Sequence, residues 1–337
     1  MKFIQLKTIK YKSELNPPLK NSQNIYYERS GFIIKFYLDD YCGYGEASPL
    51  TYFSIESLKE VEWSIEELKS ALIVNENYTH EELLNLFKIF TKKCPSLNFA
   101  LDISLYDILA QKKNISLAKY LNPNASSKIK LSAINNFTNS TTPLKIKFGN
   151  KKINAEIGKL ELIKKNNPNI VFRLDFNRMF DCESMIKICE KLKPYNIEYI
   201  EEPLKDPTVI KMLKLKKNIN IPIALDETLI TKEYKKLIEK KLIQYVILKA
   251  SILGSVDYVM SLIDYFKKNN IKVIVSSSLQ TQIGNLANIN IAAVLNNKLY
   301  HGLNNHAYFD NLELTYSKNA TQVDISKIVG LGTCWND

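Results

Sequence analysis

Phe172-Arg173-Leu174-Asp175 is a short apolar stretch that ends in a carboxylate. The same arrangement returns at Tyr199-Ile200-Glu201 and at Ile223-Ala224-Leu225-Asp226. The three acids follow one another at intervals of 26 and 25 residues, which is about the length that one strand and one crossover helix need. Parallel strands present their carboxyl ends at one edge of a sheet, so this spacing predicts that the three acids meet there.

The same interval extends across the second half of the chain. From Leu131 onward, eight short apolar strands alternate with amphipathic helices, and no glycine-rich nucleotide-binding sequence follows any of them. This alternation favours a closed α/β barrel of the TIM type, and an open doubly wound sheet is the alternative. The residues that recur, at gaps of 23 to 28 residues, are Lys147, Asp175, Glu201, Asp226, Lys249, Ser276 and Gly302.

The first part of the chain predicts a smaller α+β domain. Strand-like stretches rich in Val, Ile, Phe and Tyr are followed by three stretches with helical apolar spacing. The polar, proline-containing segment 16–23 predicts a mobile loop. The expected strands cover 1–11, 27–37 and 41–46, and the expected helices cover 54–72, 80–90 and 98–112.

Composition excludes several classes of protein. The formal charge of +11 comes from 46 basic residues, of which only Arg29, Arg173 and Arg178 are arginines, whereas nucleic-acid readers lean on clustered arginine. We therefore expect no nucleic-acid partner. No apolar run is long enough to cross a membrane, and the five scattered cysteines include no CxxC pair. We expect a cytoplasmic protein with reduced thiols.

The three strand-end acids predict a divalent-cation site. Asp175, Glu201 and Asp226 each end an apolar strand, where an unpaired buried charge is costly. Oxygen ligands without a neighbouring His or Cys suit Mg²⁺, with Mn²⁺ as a possible substitute, better than Zn²⁺. The alternative is that each acid caps the helix that follows its strand.

Two lysines flank these acids in sequence and are candidates for proton transfer. Lys147 and Lys249 end apolar strands, and a nearby positive charge lowers the pKa of a lysine toward that of a usable base. Strand alternation places Lys145 on the face of Lys147, and Asn177 on the face of Asp175. Arg173 shares that face, either as a charge near the metal or in a structural ion pair.

These residues together resemble the enolase superfamily, muconate-lactonizing subgroup. The similarity rests on Lys145-x-Lys147, Asp175-x-Asn177, Glu201-Glu202-Pro203, Asp226-Glu227 and Lys249, and on residues 43–50, which read GYGEASPL. The resemblance implies a modified (β/α)7β barrel with an N-terminal α+β capping domain. It places the capping domain at 1–128, the barrel at 129–305, and a C-terminal segment that packs back on the cap at 306–337.

Within that subgroup, residues 173–178, Ser276-Ser277-Ser278 and Gly302 are most similar to the o-succinylbenzoate synthases of menaquinone biosynthesis. The resemblance implies a Mg²⁺-dependent dehydration of a small-molecule carboxylate. Lys147 and Lys249 would be catalytic, and Asp175, Glu201 and Asp226 would bind the metal. Dipeptide epimerase or N-succinylamino acid racemase is the alternative, and the oligomeric state stays open. The expected substrate-binding set is Lys145, Arg173, Asn177, Ser276, Ser277, Ser278 and Gly302.

Overall fold

The computed structural model describes residues 4–20, 25–51, 53–73, 77–134, 142–149, 152–231, 233–304, 309 and 320–333. The chain forms two compact units. The first unit comprises Met1–Lys130, Lys249–Ile263 and Val275–Asp337, and the second unit comprises Leu131–Leu248 and Asp264–Ile274. The division into segments 1–128, 129–305 and 306–337 stays a prediction.

An antiparallel three-stranded sheet begins the first unit. Its strands β1 (Ile4–Lys20), β2 (Ile25–Leu38) and β3 (Tyr41–Ala47) pair in that order. The loop expected from residue 16 is wrong up to Lys20, because β1 continues and Leu19 pairs with Tyr26. A register shift between Glu14 and Leu19 accommodates the two prolines, which cannot donate to the ladder. Residues 21–23 of that expected loop lie outside the described residues.

Helices cover one face of this sheet. Helices α1 and α2 begin at capping boxes, Ser57 with Glu60 and Thr79 with Glu82, each of which contributes about 1 kcal/mol. The expected start of α1 at Ser54 is wrong, because the Ser54 hydroxyl accepts a hydrogen bond from the Leu50 backbone instead. The helices are α1 (Leu58–Ala71), α2 (His80–Phe90), α3 (Pro95–Lys112) and α4 (Leu117–Leu121).

The GYGEASPL segment lies directly against α3. A Cβ atom on Gly45 would lie 1.9 Å from the carbonyl oxygen of Ala100, and one on Gly43 would lie 1.8 Å from that of Ser104. Only glycine lets the strand approach the helix backbone this closely. Around this contact the apolar faces of the sheet and of α1–α3 form one buried core, in which the rings of Phe36 and Phe87 meet edge to face.

A seven-stranded sheet forms the second unit, and all of its described register pairs are parallel. Strands alternate with helices, as expected, and most strand residues are buried. The α/β barrel-type fold with an N-terminal α+β part is therefore confirmed. The strands are β5 (Ala133–Ile134), β6 (Leu144–Lys147), β7 (Phe172–Asp175), β8 (Ile197–Glu201), β9 (Ile223–Leu225), β10 (Tyr245–Leu248) and β11 (Lys272–Val275).

Five connecting helices were expected at 155–165, 184–192, 232–241, 255–268 and 283–295, and their observed ends differ from these by at most two residues. Two short helices, a 3-10 helix Glu227–Ile230 and α9 (Ala250–Leu253), begin one residue after Asp226 and Lys249. The others are α5 (Ile153–Asn166), α6 (Cys182–Leu192), α7 (Val209–Asn218), α8 (Glu233–Glu239), α10 (Val256–Lys268) and α11 (Gln282–Val294).

A third small sheet joins β12 (Tyr300–His301), β4 (Lys128–Leu131) and β13 (Gln322–Asp324), in that order. One further bridge links Ser276 to Gly302, so the chain after β11 runs parallel to the end of β12. Among the helices that the structure describes, none has the length and apolar character needed to span a bilayer.

Candidate active site

The predicted acids lie at the carboxyl ends of three neighbouring strands. Asp175 and Glu201 are the last residues of β7 and β8, and Asp226 directly follows β9. The register pairs Asp175 with both Lys147 and Glu201. All three acids are buried, with exposed fractions of 4%, 0% and 7%. The spacing in sequence therefore did bring them to one edge of one sheet.

Lys145 lies against two of these acids. Its Nζ is 3.0 Å from Asp175 Oδ2 and 2.7 Å from Glu201 Oε1. Burial disfavours the ammonium, but Asp175 and Glu201 outweigh that effect and raise the pKa of Lys145 well above its ordinary value. Burial, with the like charge of Asp175, raises the pKa of Glu201. Carboxylates of like charge therefore lie close enough together here to raise the pKa of one of them.

The chemistry of this cluster fits a hard divalent cation. Glu201 Oε2 is buried and has no hydrogen-bond partner, which is unusual for a carboxylate oxygen in a folded protein. The donors are all carboxylate oxygens, the type that Mg²⁺ prefers. Within the described ranges, however, no three His, Cys, Asp or Glu side chains are grouped closely enough to hold one ion. In this structure the Lys145 ammonium lies between the first two acids instead.

Helix capping does not explain the position of Asp226. It stands at the N-cap of the 3-10 helix, yet its side chain makes no capping hydrogen bond. The neighbouring Glu202 fixes this turn: its carboxylate accepts hydrogen bonds from the Asp226 and Thr228 backbones and from the Thr228 hydroxyl, each at 2.7 Å. Glu202 is thus a structural partner that orients the backbone of a predicted metal ligand.

Two members of the expected substrate-binding set have structural contacts. Arg173 is buried, and its Nε donates to Glu198 Oε2 at 2.7 Å while its guanidinium lies over the ring of Tyr199. Of its two expected roles, the structure shows the ion pair. Asn177 is half-buried with a left-handed φ of 43°, and its backbone N–H donates to Asp175 Oδ1 at 3.1 Å. It therefore helps to orient that carboxylate.

Lys147 and Lys249 occupy strand ends, as expected. Lys147 ends β6 on the same face as Lys145 and is half-buried. Lys249 directly follows β10, is half-buried, and has its Nζ 4.0 Å from the centre of the Phe53 ring. A ring at this distance stabilises the charged form of an amine. Each lysine thus has partial access to solvent, and Lys249 also has the Phe53 ring as a neighbour.

The serine run follows β11 and divides into two kinds of side chain. Ser278 is buried, and its hydroxyl is 2.9 Å from that of Ser251. Ser276 and Ser277 are half-buried, which makes them the better candidates for contact with a ligand. Gly302 donates its N–H to the carbonyl of Val275 at 2.9 Å. The N–H of Gly302 is therefore already used. A Cβ at this position would lie 3.0 Å from Ser276 Oγ, so glycine leaves space beside that hydroxyl.

Sequence reasoning missed residues of the first unit that hold this serine run in place. Glu46 stands out in the sequence only as part of the GYGEASPL segment, yet its carboxylate accepts the N–H of Thr281 and the N–H of Gly284, at the start of α11. Arg29 stands out only as one of three arginines. The rarity of arginine in this lysine-rich chain was the one signal that could have pointed to it. For Phe53, the resemblance implies only that the segment 51–54 is a loop that closes over the substrate, and nothing in the sequence points to the ring itself.

Comparison with known proteins agrees with this architecture. Residues 135–335 match the family described as Enolase C-terminal domain-like, and residues 5–108 match the family described as MenC, N-terminal domain. An L-Ala-D/L-Glu epimerase of Francisella tularensis subsp. novicida is 28% identical over 232 residues, which are 64% of this chain and 65% of that enzyme. An o-succinylbenzoate synthase of Pasteurella multocida is 24% identical over 277 residues, 76% of each chain.

Solved structures show the same fold. The substrate-liganded L-Ala-D/L-Glu epimerase of Bacillus subtilis superposes with a TM-score of 0.87 at 21% identity, covering 98% of both chains. A dipeptide epimerase of Enterococcus faecalis, complexed with Mg and the dipeptide L-Leu-L-Tyr, also gives 0.87, at 20% identity and with 98% and 99% of the two chains covered. The Enolase C-terminal domain-like match, over residues 135–335, spans more than half of this chain. The chain therefore belongs to the enolase superfamily.

Proposed function

We propose that this enzyme is an o-succinylbenzoate synthase of menaquinone biosynthesis. The reaction would convert 2-succinyl-6-hydroxy-2,4-cyclohexadiene-1-carboxylate into 2-succinylbenzoate and water. A proton leaves the carbon beside the carboxylate, the bond from the ring to the hydroxyl breaks, and the ring becomes aromatic. Aromatisation favours the product, so the protein mainly has to stabilise one anionic intermediate.

The two lysines would carry the proton chemistry. Lys147 would remove the α-proton and then, as an ammonium, return that proton to the departing hydroxyl, which leaves as water. Lys249 would remain an ammonium and stabilise the negative charge that develops on the substrate carboxylate. The Phe53 ring, 4.0 Å from its Nζ, supports this second role because a cation is the form that an aromatic face stabilises.

Asp175, Glu201 and Asp226 would hold Mg²⁺. The unpartnered Glu201 Oε2 and the buried carboxylate charge support this assignment. When bound, the ion would supply positive charge to the substrate carboxylate and so make the neighbouring proton more acidic. Lys145 and Asn177 would keep the first of these carboxylates in place through their contacts with Asp175.

One observation carries the choice of synthase over epimerase. Dipeptide epimerases recognise the amino group of their substrate with acids near the last barrel strand. Here residues 302–306 read GLNNH and contain no acid, and Gly302 lies beside the hydroxyl of Ser276. Serine hydroxyls can donate to a carboxylate, and without an acid nothing in this stretch offers a negative charge to an ammonium. The MenC match over residues 5–108 supports the same choice.

A dipeptide epimerase or racemase is the second candidate. Relatives with epimerase names are as similar to this chain as those named synthases, at 28% and 24% identity. Both reactions begin with removal of a proton beside a carboxylate, so the two lysines serve either. The two reactions differ in the role of Lys249. In an epimerase, Lys249 would have to donate a proton to the substrate carbon on the face opposite to Lys147.

The deciding experiment compares both reactions with the same purified protein. Conversion of the cyclohexadiene acid is followed by ultraviolet absorbance, and epimerisation of L-Ala-L-Glu is followed by proton exchange in D₂O. We expect rapid dehydration and slow or absent epimerisation. Lys147→Ala and Lys249→Ala should each lose dehydration at least about 1,000-fold while remaining folded, as expected for acid–base and charge-stabilising groups. Efficient epimerisation without dehydration would overturn the proposal.

A further inference from the structure

Arg29 has an unusual environment for a charged residue. It is 4% exposed, and its guanidinium donates to four backbone carbonyls. Nε donates to Leu279 at 2.9 Å and Nη1 to Pro49 at 2.7 Å. Nη2 donates to Ser48 and, at 3.2 Å, to Ser278. One planar group thus holds two segments that are about 230 residues apart in sequence.

Lysine could not make these contacts. Guanidinium carries five donors in a fixed plane, whereas an ammonium offers three donors on one atom. The chain uses lysine for all but three of its 46 basic residues, so an arginine at this position stands out. The geometry of four carbonyls around one plane explains why arginine is present here.

One end of this contact is the serine run. Arg29 bonds the carbonyls of Ser278 and Leu279, and Leu279 has a left-handed φ of 60°. A residue with a side chain rarely adopts that region, so the backbone needs a partner to stay there. The turn it forms sets the direction of the chain that follows β11 and hence the position of the half-buried Ser276 and Ser277.

The other end is the loop that carries Phe53. Arg29 holds the carbonyls of Ser48 and Pro49, and the next residue, Leu50, starts a tight turn. The carbonyl of Leu50 accepts the N–H of Phe53 at 2.9 Å. The Phe53 ring then lies over the Lys249 ammonium. The same guanidinium therefore also determines where this ring stands.

We propose that Arg29 is a positioning residue that fixes the serine run and the Phe53 loop relative to each other, and through them orients the carboxylate-bearing substrate. The effect on substrate rests on the proposed function, whereas the backbone link does not. Arg29 contacts no predicted reacting group, so its loss should weaken substrate binding and alignment and leave the proton-transfer groups intact.

The test replaces Arg29 with Lys in the full-length protein. Hydrogen exchange should become at least tenfold faster at amides 50, 51, 53, 54 and 278–284, with no such change in α2. KM for the cyclohexadiene acid should rise at least tenfold and kcat should fall by less, and the dissociation constant of 2-succinylbenzoate should rise in parallel. Phe87→Leu, in the core of the first unit, is the matched control. It should lower stability without changing KM and without a selective increase in amide exchange at these two segments.

A second measurement needs no variant. In the wild-type protein, exchange under increasing urea should give the same opening free energy for amides 50, 51, 53, 54 and 278–284, because one guanidinium links the two segments. Different opening free energies, or an Arg29→Lys protein with unchanged KM and exchange, would overturn the inference. If the wild type neither converts the acid nor binds 2-succinylbenzoate, the proposed function fails, and the exchange results alone still decide the role of Arg29.

Discussion

Glu46 offers a quantitative test of how distant segments of the first unit are joined. Its carboxylate is 2% exposed and accepts five hydrogen bonds. Oε1 accepts from the Tyr11 hydroxyl at 2.6 Å, the Ser48 hydroxyl at 2.9 Å and the Thr281 N–H at 3.0 Å. Oε2 accepts from the Thr281 hydroxyl at 2.5 Å and the Gly284 N–H at 3.0 Å. Because every partner donates, an ionised carboxylate is the form that fits.

Glu46→Gln keeps the shape of the side chain and replaces one acceptor oxygen with an NH₂ group. The least costly orientation places this NH₂ at Oε2, where it meets the Thr281 hydroxyl and the Gly284 N–H. The hydroxyl can turn and accept, but the buried N–H loses its partner. An orphaned donor costs about 1–3 kcal/mol, and a lost charge-assisted bond costs about 1.5–3 kcal/mol. We expect the free energy of unfolding to fall by about 3–5 kcal/mol.

Urea unfolding followed by circular dichroism measures this loss. Tyr11→Phe is the matched control, because it removes one donor and leaves the carboxylate with four; it should cost about 1 kcal/mol. If Glu46→Gln were no more destabilising than Tyr11→Phe, the carboxylate would not be the link between these segments, and the start of α11 would depend on other contacts.

Three further tests address other parts of the molecule. Gly45→Ala should destabilise by about 3 kcal/mol, since its Cβ would meet the Ala100 carbonyl, whereas Gly158→Ala, with open space around it, should stabilise by about 0.5–1 kcal/mol in thermal unfolding. Burial raises the pKa of Asp102 to about 7, so the contribution of this carboxyl to stability should fall as pH rises from about 4 to 7. Asp102→Asn should remove that share of the pH dependence, making the variant the more stable protein by about 2–4 kcal/mol at pH 8 and little different at pH 4 in urea titrations. EDTA should abolish turnover, and added Mg²⁺ or Mn²⁺ should restore it in a steady-state assay.

Local pattern was enough to predict most of the second unit. Each parallel strand is a short apolar run that reads clearly against its polar neighbours, and the expected strands all exist. The predicted strands extended up to three residues too far at their carboxyl ends; the one expected at 272–278, for example, ends at Val275. The structure ends β9 at Leu225 and β10 at Leu248, so Asp226 and Lys249 stand just outside the ladder. A residue outside the hydrogen-bonded strand is less constrained in its backbone, so its side chain can be directed toward a metal or a substrate.

Long-range contacts were beyond the reach of sequence pattern. Strand alternation placed Lys145 on the correct face, but not between Asp175 and Glu201, because that depends on the distance between strands. The segment beginning at Asn16 was predicted as a loop from its prolines, and pairing with β2 overrode that local preference. Arg29 binds carbonyls in a segment 249 and 250 residues away, and no periodicity in the chain reports such a contact.

The balance of charge at the acid cluster connects the structure with the proposed chemistry. Asp175, Glu201 and Asp226 are all buried within one sheet edge, and Lys145 is the cation in contact with two of them. Burying three carboxylates at one sheet edge is costly, even with an ammonium in contact with two of them. Burial and the like charge of Asp175 raise the pKa of Glu201, which shows that cost at one of the three acids. A divalent cation would offset this buried negative charge and give the unpartnered Glu201 Oε2 a ligand role. The buried negative charge would then be the source of the affinity for the ion.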